Sequence, residues 1–268
     1  MQRLVVVVPI YNEAPNIPTL VQAFHALKDE FCNQFLVSFV LVDDGSQDYS
    51  VDIARDAGAD LELLVLAHEM NKGPGAAFAT AFSHLAGKVG AQDWVITMEG
   101  DNTSRHELVR QMLTRTAEGF DIVLASPYMY GGGFTQTSFL RKLLSGGANL
   151  LVKDLLDIQG ILTVSSFFRL YRGDALIKLQ ETFGLGILER TGFESMVEMV
   201  MKMTMLKLSI SEVAMQLDSS RRKGKSKMKI MRTIRGYLTL WSRKSSWLAM
   251  VGTRGNSSIE RTALIQQK

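Results

Sequence analysis

The sequence predicts an α/β fold, a mostly parallel, Rossmann-like sheet flanked by helices. Three observations carry this expectation. Short runs rich in β-branched residues alternate with helical patterns over the first half of the chain. The runs are apolar almost throughout, as strands covered on both faces require. Turn residues and carboxylates follow the runs, at the strand ends where a doubly wound sheet takes its ligands.

The elements read in order. "RLVVVVPI" is the first strand and residues 16–28 the first helix; "FLVSFVLVDD" precedes a helix over 49–58; "LELLVLA" precedes one over 74–88; "DWVITME" precedes one over 105–118; "FDIVLAS" closes the series. After residue 130 the character changes. "GGGFTQ" reads as a flexible link, and "SFLRKLLSGGANLLVKDLL" sets Leu140, Leu144, Leu151 and Leu155 at helical spacing around Gly146 and Gly147. Each glycine costs a helix about 1 kcal/mol relative to alanine, so the pair predicts a bend or a close approach. "VSSFFRLYR" reads as a strand returning to the sheet, "FESMVEMVMKMTML" as an amphipathic helix and "LSISEVAMQL" as a last strand.

Charge divides the chain at Asp218. Residues 1–218 carry a net charge of −9 and residues 219–268 one of +12, although the whole sums to only +3. The acidic body needs a metal or local basic groups to handle phosphates, and the basic tail points to an anionic membrane surface or to nucleic acid. An acidic body repels a duplex and the tail holds few aromatics, so nucleic acid is not expected as a partner. The single cysteine, Cys32, excludes an internal disulfide framework and suits a reducing compartment. "LVVVVPI" lacks the basic lead and cleavage site of a secretory signal, and "YLTLW" and "SSWLAMV" are separated by Arg243 and Lys244. The expected location is cytoplasmic, peripheral on the cytoplasmic face of a membrane.

The strand ends carry the chemistry. Neither a G-x-G-x-x-G turn nor a P-loop follows the strands. "NKGPGAA" opens a helix and reads either as a plain helix start or as part of a phosphate cradle. Asp43 and Asp44 in "VLVDDGSQD" cap a βα turn or accept the paired N–H groups of a nucleobase edge, a use that gains weight from Tyr11 and Glu13 at the neighbouring strand end. Glu99 and Asp101 in "MEGDNTS" alternate onto one side of an extended chain, as a proton-sharing pair, a surface turn or a divalent metal site. An oxygen-only set suits Mg²⁺ or Mn²⁺, with a diphosphate completing the coordination. His25, His68, His84 and His106 share no metal spacing.

With "VVVPIYNE", "LVDDGSQD", "NKGPGAA" and "MEGDNTS" in this order on successive strand ends, the chain resembles the family 2 glycosyltransferases of the A-type fold. "RKLLSGGANLLVKDLL", "SSFFRLYRGDAL" and "RRKGKSKM" narrow the resemblance to the dolichyl- or polyprenyl-phosphate sugar transferases, the group typified by dolichol-phosphate mannose synthase. It spans about residues 4–230. It implies a catalytic domain over 1–218, with a nucleotide-sugar half at 1–127 and an acceptor half at 128–218, followed by a basic, membrane-proximal segment at 219–268.

Carried over by position, the resemblance implies that Pro9, Tyr11, Glu13, Leu41 and Asp43 surround the nucleoside of a nucleotide-sugar, GDP-mannose or a UDP-hexose; Asp44 is a further candidate for binding the nucleotide-sugar. Glu99, Gly100 and Asp101 stand at the acid-x-acid motif, with Asp101 the principal ligand of Mg²⁺ or Mn²⁺. Arg141 and Ser145 receive the phosphate of a polyprenyl or dolichyl acceptor, and Arg222, Ser226 and Lys227 close over the donor phosphates. Read without the resemblance, Arg141 is equally a solvated charge on an amphipathic helix. Three positions depart from the family pattern: Glu99 replaces the commoner Asp, Thr103 stands where a Gln is usual, and Pro127 stands where an Arg is often found. The implied reaction is direct displacement with inversion. The leucine-rich stretch 139–156 and the basic segment are expected to form amphipathic membrane-surface helices, and an anchoring membrane protein is a further expected partner.

Overall fold

The computed structural model describes residues 1–135, 149, 153–154, 156–221, 223 and 230–265. A seven-stranded sheet lies at the centre, in the order β3-β2-β1-β4-β7-β5-β8. These strands are β1 (Gln2–Ile10), β2 (Phe35–Asp43), β3 (Leu63–Ala67), β4 (Trp94–Thr97), β5 (Ile122–Ser126), β7 (Arg169–Arg172) and β8 (Ile210–Ala214). β7 alone runs antiparallel to its neighbours. β6 (Gly133–Thr135) and β9 (Gln216–Asp218) pair in a separate small sheet.

The four valines of β1 show why the centre of the sheet forms there. Val5 and Val7 face one apolar layer, Leu4, Val6 and Val8 the other, and none is more than 3% exposed. On the second face, α1 (Ile17–Phe31) buries Leu20, Phe24, Leu27 and Phe31 at helical spacing, with Phe24 stacked on Phe39 at 4.4 Å. The same face receives α2 (Ser50–Ala57) and α4 (Val109–Ala117). The first face is covered by α3 (Pro74–Leu85), α5 (Gly173–Phe183) and α6 (Ser195–Met205). A long helix, α7 (Ile230–Ile265), lies outermost and sends Leu240 and Trp247 into that layer.

Three expectations change. The returning strand covers only Arg169–Arg172 of the nine residues read as β. Arg169 is fully buried, and its guanidinium donates to the carbonyls of Ser166, Val164 and Met196, which curls the preceding chain out of the sheet. The last strand breaks at Met215, whose N–H reaches Ser126 O at 3.0 Å while its own carbonyl accepts from Gly133. The remainder leaves as β9 to pair with β6.

The third concerns α6, whose sequence predicts an amphipathic helix. Every residue from Ser195 to Met203 is buried, including Glu198 and Lys202. They form an i,i+4 ion pair at 2.6 Å with no side-chain exposure. Glu198 also accepts the backbone N–H groups of Glu189 and Arg190 at 2.8 Å each, and Lys202 donates to Ile187 O at 2.6 Å while lying 4.6 Å from the Trp247 ring centre. The polar stripe is thus the seat of α7 rather than a wet face. Removing one partner strands a buried charge, so Lys202→Met is expected to cost about 3–5 kcal/mol in a denaturant titration; a loss below about 1 kcal/mol contradicts this role.

Glu189 then fastens α7 from outside. Its carboxylate accepts Trp247 Nε1–H at 2.7 Å and Arg243 Nε–H at 2.9 Å. Burial pushes this carboxyl up, but the Trp247 hydrogen bond and the charges of Lys202 and Arg243 outweigh burial and hold it below its ordinary 4.5. A depressed carboxyl contributes stability that is present above pH 4.5 and disappears as pH falls through the folded value. Trp247 fluorescence is therefore expected to report loosening of α7 on acidification below pH 4.5, and Glu189→Gln to remove that dependence.

Candidate active site

The strand order places three acidic loops side by side. β1, β2 and β4 are parallel, with Ile10 opposite Asp43 and Val7 opposite Thr97. The loop after β1 therefore sits between the ends of β2 and β4. Because β2 and β3 run off one way and β4 the other, the crevice between β1 and β4 is the topological switch point of the sheet.

Backbone and side-chain bonds stitch these loops together. Asn12, in the left-handed region at φ 50°, accepts the N–H of Gln47, and its own N–H reaches Ser46 Oγ at 2.8 Å. Glu13 N donates to Ser50 Oγ and Ala14 N to Asp48. On the other side Gly100 permits a contact that no other residue allows, since a Cβ there would lie 2.8 Å from Pro9 O and 2.9 Å from Ile10 Cγ2. The absent side chain brings the acid loop onto the end of β1.

The two acids of that loop are half-buried. Asp101 Oδ1 accepts from Thr103 N–H at 3.1 Å and from Thr103 Oγ1 at 2.6 Å, so the residue at the departing Gln position fixes the Asp101 side chain. Ser104 Oγ accepts the N–H of Glu99 at 3.3 Å.

Asp43 and Asp44 have separate surroundings. Asp43 lies 6% exposed and its carboxylate accepts Ser46 N–H, the capped-turn geometry. Asp44 faces inward: its oxygens accept the N–H groups of Lys72 at 2.9 Å and Gly73 at 2.7 Å, with His68 Nδ1 at 2.7 Å. Gly75 N–H in turn donates to Thr191 O, and a Cβ at Gly73 would stand 2.4 Å from that same carbonyl. "NKGPG" therefore joins the end of β2 to the chain at 190–192, with the N–H groups of Lys72 and Gly73 taken by Asp44 and that of Gly75 by Thr191. Leu41, 1% exposed in the core beneath α1, supports the site rather than lining it. Pro9 and Tyr11 are half-buried at the end of β1.

Asn16 is the residue that sequence reasoning missed. It occupies the N-cap position of α1 yet makes no capping bond. Its fully buried amide instead accepts Lys223 N–H at 3.0 Å, donates to Lys223 O at 3.1 Å and donates to Glu13 Oε2. Its carbonyl accepts the side-chain N–H of Asn102, the neighbour of Asp101, at 2.9 Å. One asparagine thus joins the loop after β1, the acid loop and the late basic segment. "APNIP" reads as an ordinary capped helix start, which conceals this.

Beyond the acid loop an open cleft of about 380 Å³ is lined by Arg105, Thr135, Gln216, Asp218 and Arg221. Arg141, Ser145, Arg222, Ser226 and Lys227 lie outside the described residues, as does most of the leucine-rich stretch.

The model for "Glycosyl transferase family 2" matches residues 5–180, which span the sheet from β1 through most of α5. The chain belongs to glycosyl transferase family 2. Over 229 residues this glycosyltransferase is 29% identical to a polyprenol monophosphomannose synthase of Mycolicibacterium smegmatis, covering 85% of this chain and 81% of that one. It is also 29% identical over 155 residues to an undecaprenyl-phosphate 4-deoxy-4-formamido-L-arabinose transferase of Salmonella paratyphi A, of which it covers 44%. Among solved structures, glucosyl-3-phosphoglycerate synthase from Mycobacterium tuberculosis, in complex with Mn²⁺, uridine diphosphate and glucosyl-3-phosphoglycerate, superposes with a TM-score of 0.61 at 17% identity, over 92% of the glycosyltransferase and 80% of that chain. That likeness shows the fold.

Proposed function

We propose that this glycosyltransferase moves a sugar from a nucleotide-sugar to a polyprenyl or dolichyl phosphate, with inversion and with a divalent metal. The observation that supports the donor half is that the loops after β1 and β4 and the end of β2, which carry Glu13, Asp43, Glu99 and Asp101, lie along one edge of the sheet, with Lys223 held to the first of them by Asn16. The acceptor half is supported by the two polyprenyl-phosphate sugar transferases among the relatives. The boundaries expected from sequence, a catalytic domain at 1–218 and a basic segment at 219–268, are part of the same proposal.

The donor set fits a hard cation. Glu99 and Asp101 offer oxygen alone, and among the described residues no cluster of three His, Cys, Asp or Glu side chains surrounds a metal position. Mg²⁺ and Mn²⁺ take one or two carboxylates and fill their coordination from substrate phosphates and water. The solved synthase of the same fold holds Mn²⁺ with uridine diphosphate. When bound, the cation neutralises charge on the departing diphosphate.

The chain's own residues do the rest. Asp43 and Glu13 stand at adjacent strand ends, placed to accept the N–H groups of a base edge, with Tyr11 and Pro9 as the flanking surface. Thr103 holds the Asp101 carboxylate in one orientation, so little reorganisation accompanies donor binding. Arg222, Ser226 and Lys227 contribute cationic and hydroxyl donors to the diphosphate. Arg141 and Ser145 hold the acceptor phosphate, an anion that attacks the anomeric carbon without a general base. A new bond forms from phosphate oxygen to that carbon as the bond to the diphosphate oxygen breaks, and catalysis rests on alignment and on screening two anions. Arg105 and Arg221 add two cations to the cleft they line with Thr135, Gln216 and Asp218.

The test supplies labelled nucleotide-sugars and Mn²⁺ or Mg²⁺ with a short polyprenyl phosphate or with the corresponding alcohol. Label should enter the organic phase only with the phosphate; absence of lipid product from every donor contradicts the assignment, and transfer to the free alcohol moves it to another acceptor class. Arg141→Ala is expected to lower kcat/KM for the phosphate acceptor about 100-fold while donor affinity stays within about 2-fold, the signature of a lost charge-assisted fork. An equal loss in both contradicts its placement. Peripheral residence on a cytoplasmic membrane face, with an anchoring protein, belongs to the same reading.

A further inference from the structure

We infer that the outward face of α7 is a docking face for an anionic lipid bilayer. Between Gly236 and Trp247 the inward side of this helix is engaged: Gly236 lies against Glu194, Leu240 and Trp247 are buried, Arg243 is paired with Glu189, and Lys244 donates to Leu156 O. Half a turn away the stripe Leu238, Trp241 and Leu248 stands 61%, 61% and 48% exposed. Ser242, Ser245 and Ala249 fill the same side. Over about 15 Å of helix this outer face therefore carries no charged residue.

That is the reverse of a helix built for water, which turns its charges outward and its apolar stripe inward. Here the two charges of the stretch, Arg243 and Lys244, serve to hold the helix to the body. An uncharged face bearing a tryptophan and two leucines, on a segment rich in Lys and Arg, has the composition of a helix lying in the headgroup region.

Charge selects the occupant. Residues 219–268 carry 13 Lys and Arg against one Asp or Glu, with Arg232 and Arg235 before the uncharged stretch and Arg254 after it. A second copy seated on the same face would bring two such segments together and meet repulsion, whereas an anionic leaflet attracts them. Among the described residues no helix is long and apolar enough to cross a membrane, so the contact is with the surface. The inference rests on this helix alone and not on the acceptor assigned above.

Tryptophan reports the event directly. Of the three tryptophans Trp94 is 8% and Trp247 0% exposed, which leaves Trp241 as the responsive one. The full chain, titrated with vesicles of phosphatidylcholine alone or with 30% phosphatidylglycerol, is expected to show a blue shift with the anionic vesicles only. Brominated lipids should quench it, and Trp241→Phe should lack it.

The triple variant L238S/W241S/L248S should bind anionic vesicles at least about 10-fold more weakly. Its melting temperature and its turnover of a short, water-soluble acceptor should be unchanged. Absence of wild-type binding, binding by the triple variant within 2-fold of wild type, or lack of bromine quenching in the wild type would each overturn the inference. So would a concentration-dependent dimer that the triple variant abolishes, which makes the occupant a second copy. Docking and sugar transfer are separate readouts: vesicle binding without lipid product leaves the docking face in place and removes only the proposed acceptor.

Discussion

Replacing Asp101 by Asn is expected to lower kcat/KM for sugar transfer about 1,000-fold, because the change removes the negative charge while keeping the shape. Thr103 bonds to Oδ1, an oxygen that asparagine retains, so the acid loop should hold its conformation and the melting temperature should stay within about 2 °C. What is lost is the carboxylate that would hold the metal against the leaving diphosphate, an interaction that strengthens as the glycosidic bond breaks and therefore acts on the transition state. Several kcal/mol of charge stabilisation corresponds to two or three powers of ten in rate. A variant retaining a tenth of the wild-type kcat/KM, or one that unfolds, contradicts this.

Asn16→Ala is expected to lower kcat/KM about 10- to 100-fold with a raised KM for the donor. The alanine leaves the N–H and C=O of Lys223 and one carboxylate oxygen of Glu13 without their buried partner, each omission costing about 1–3 kcal/mol where water does not replace it. The bond from Asn102 to the Asn16 carbonyl survives, so the acid loop keeps its anchor while the basic segment loses its own. A purely structural asparagine would lower the melting temperature and leave donor KM alone. The positioning role predicts in addition that bound donor no longer slows tryptic cleavage at Lys223. Donor KM within about 2-fold of wild type and undiminished tryptic protection together contradict it.

The frame of this molecule is legible in its sequence for a physical reason: a strand covered on both faces has to be apolar throughout, and "RLVVVVPI" has no other stable home. Alternation predicts Glu99 and Asp101 on one side of an extended chain, whereas β4 ends at Thr97 and Asp101 lies in the turn beyond it. The direction of β7 is not legible, because an apolar run says nothing about parallel or antiparallel pairing, and the curl that shortens it depends on one buried arginine reaching three carbonyls. The true surroundings of α6 were hidden by distance along the chain. Glu198 and Lys202 look solvated until α7, which begins 28 residues after Lys202, covers them. Asn16 was hidden differently: its local environment fully explains an asparagine there, and its partner lies 207 residues away.

Asp44 shows the converse. A carboxylate at a strand end invites a ligand, but three internal donors at under 3 Å already claim it. The adjacent Asp43 differs by the strand's alternation, which turns neighbouring side chains to opposite faces.

The most direct measurement is calorimetric titration of the full chain with uridine or guanosine diphosphate, with and without Mn²⁺, in the wild type and in Asp101→Asn. A donor site assembled from the ends of β1, β2 and β4 predicts that Mn²⁺ strengthens binding of one nucleotide at least about 10-fold, and that the variant keeps the metal-free affinity while losing the enhancement. The same enhancement in the variant would place the metal elsewhere and contradict the site described above.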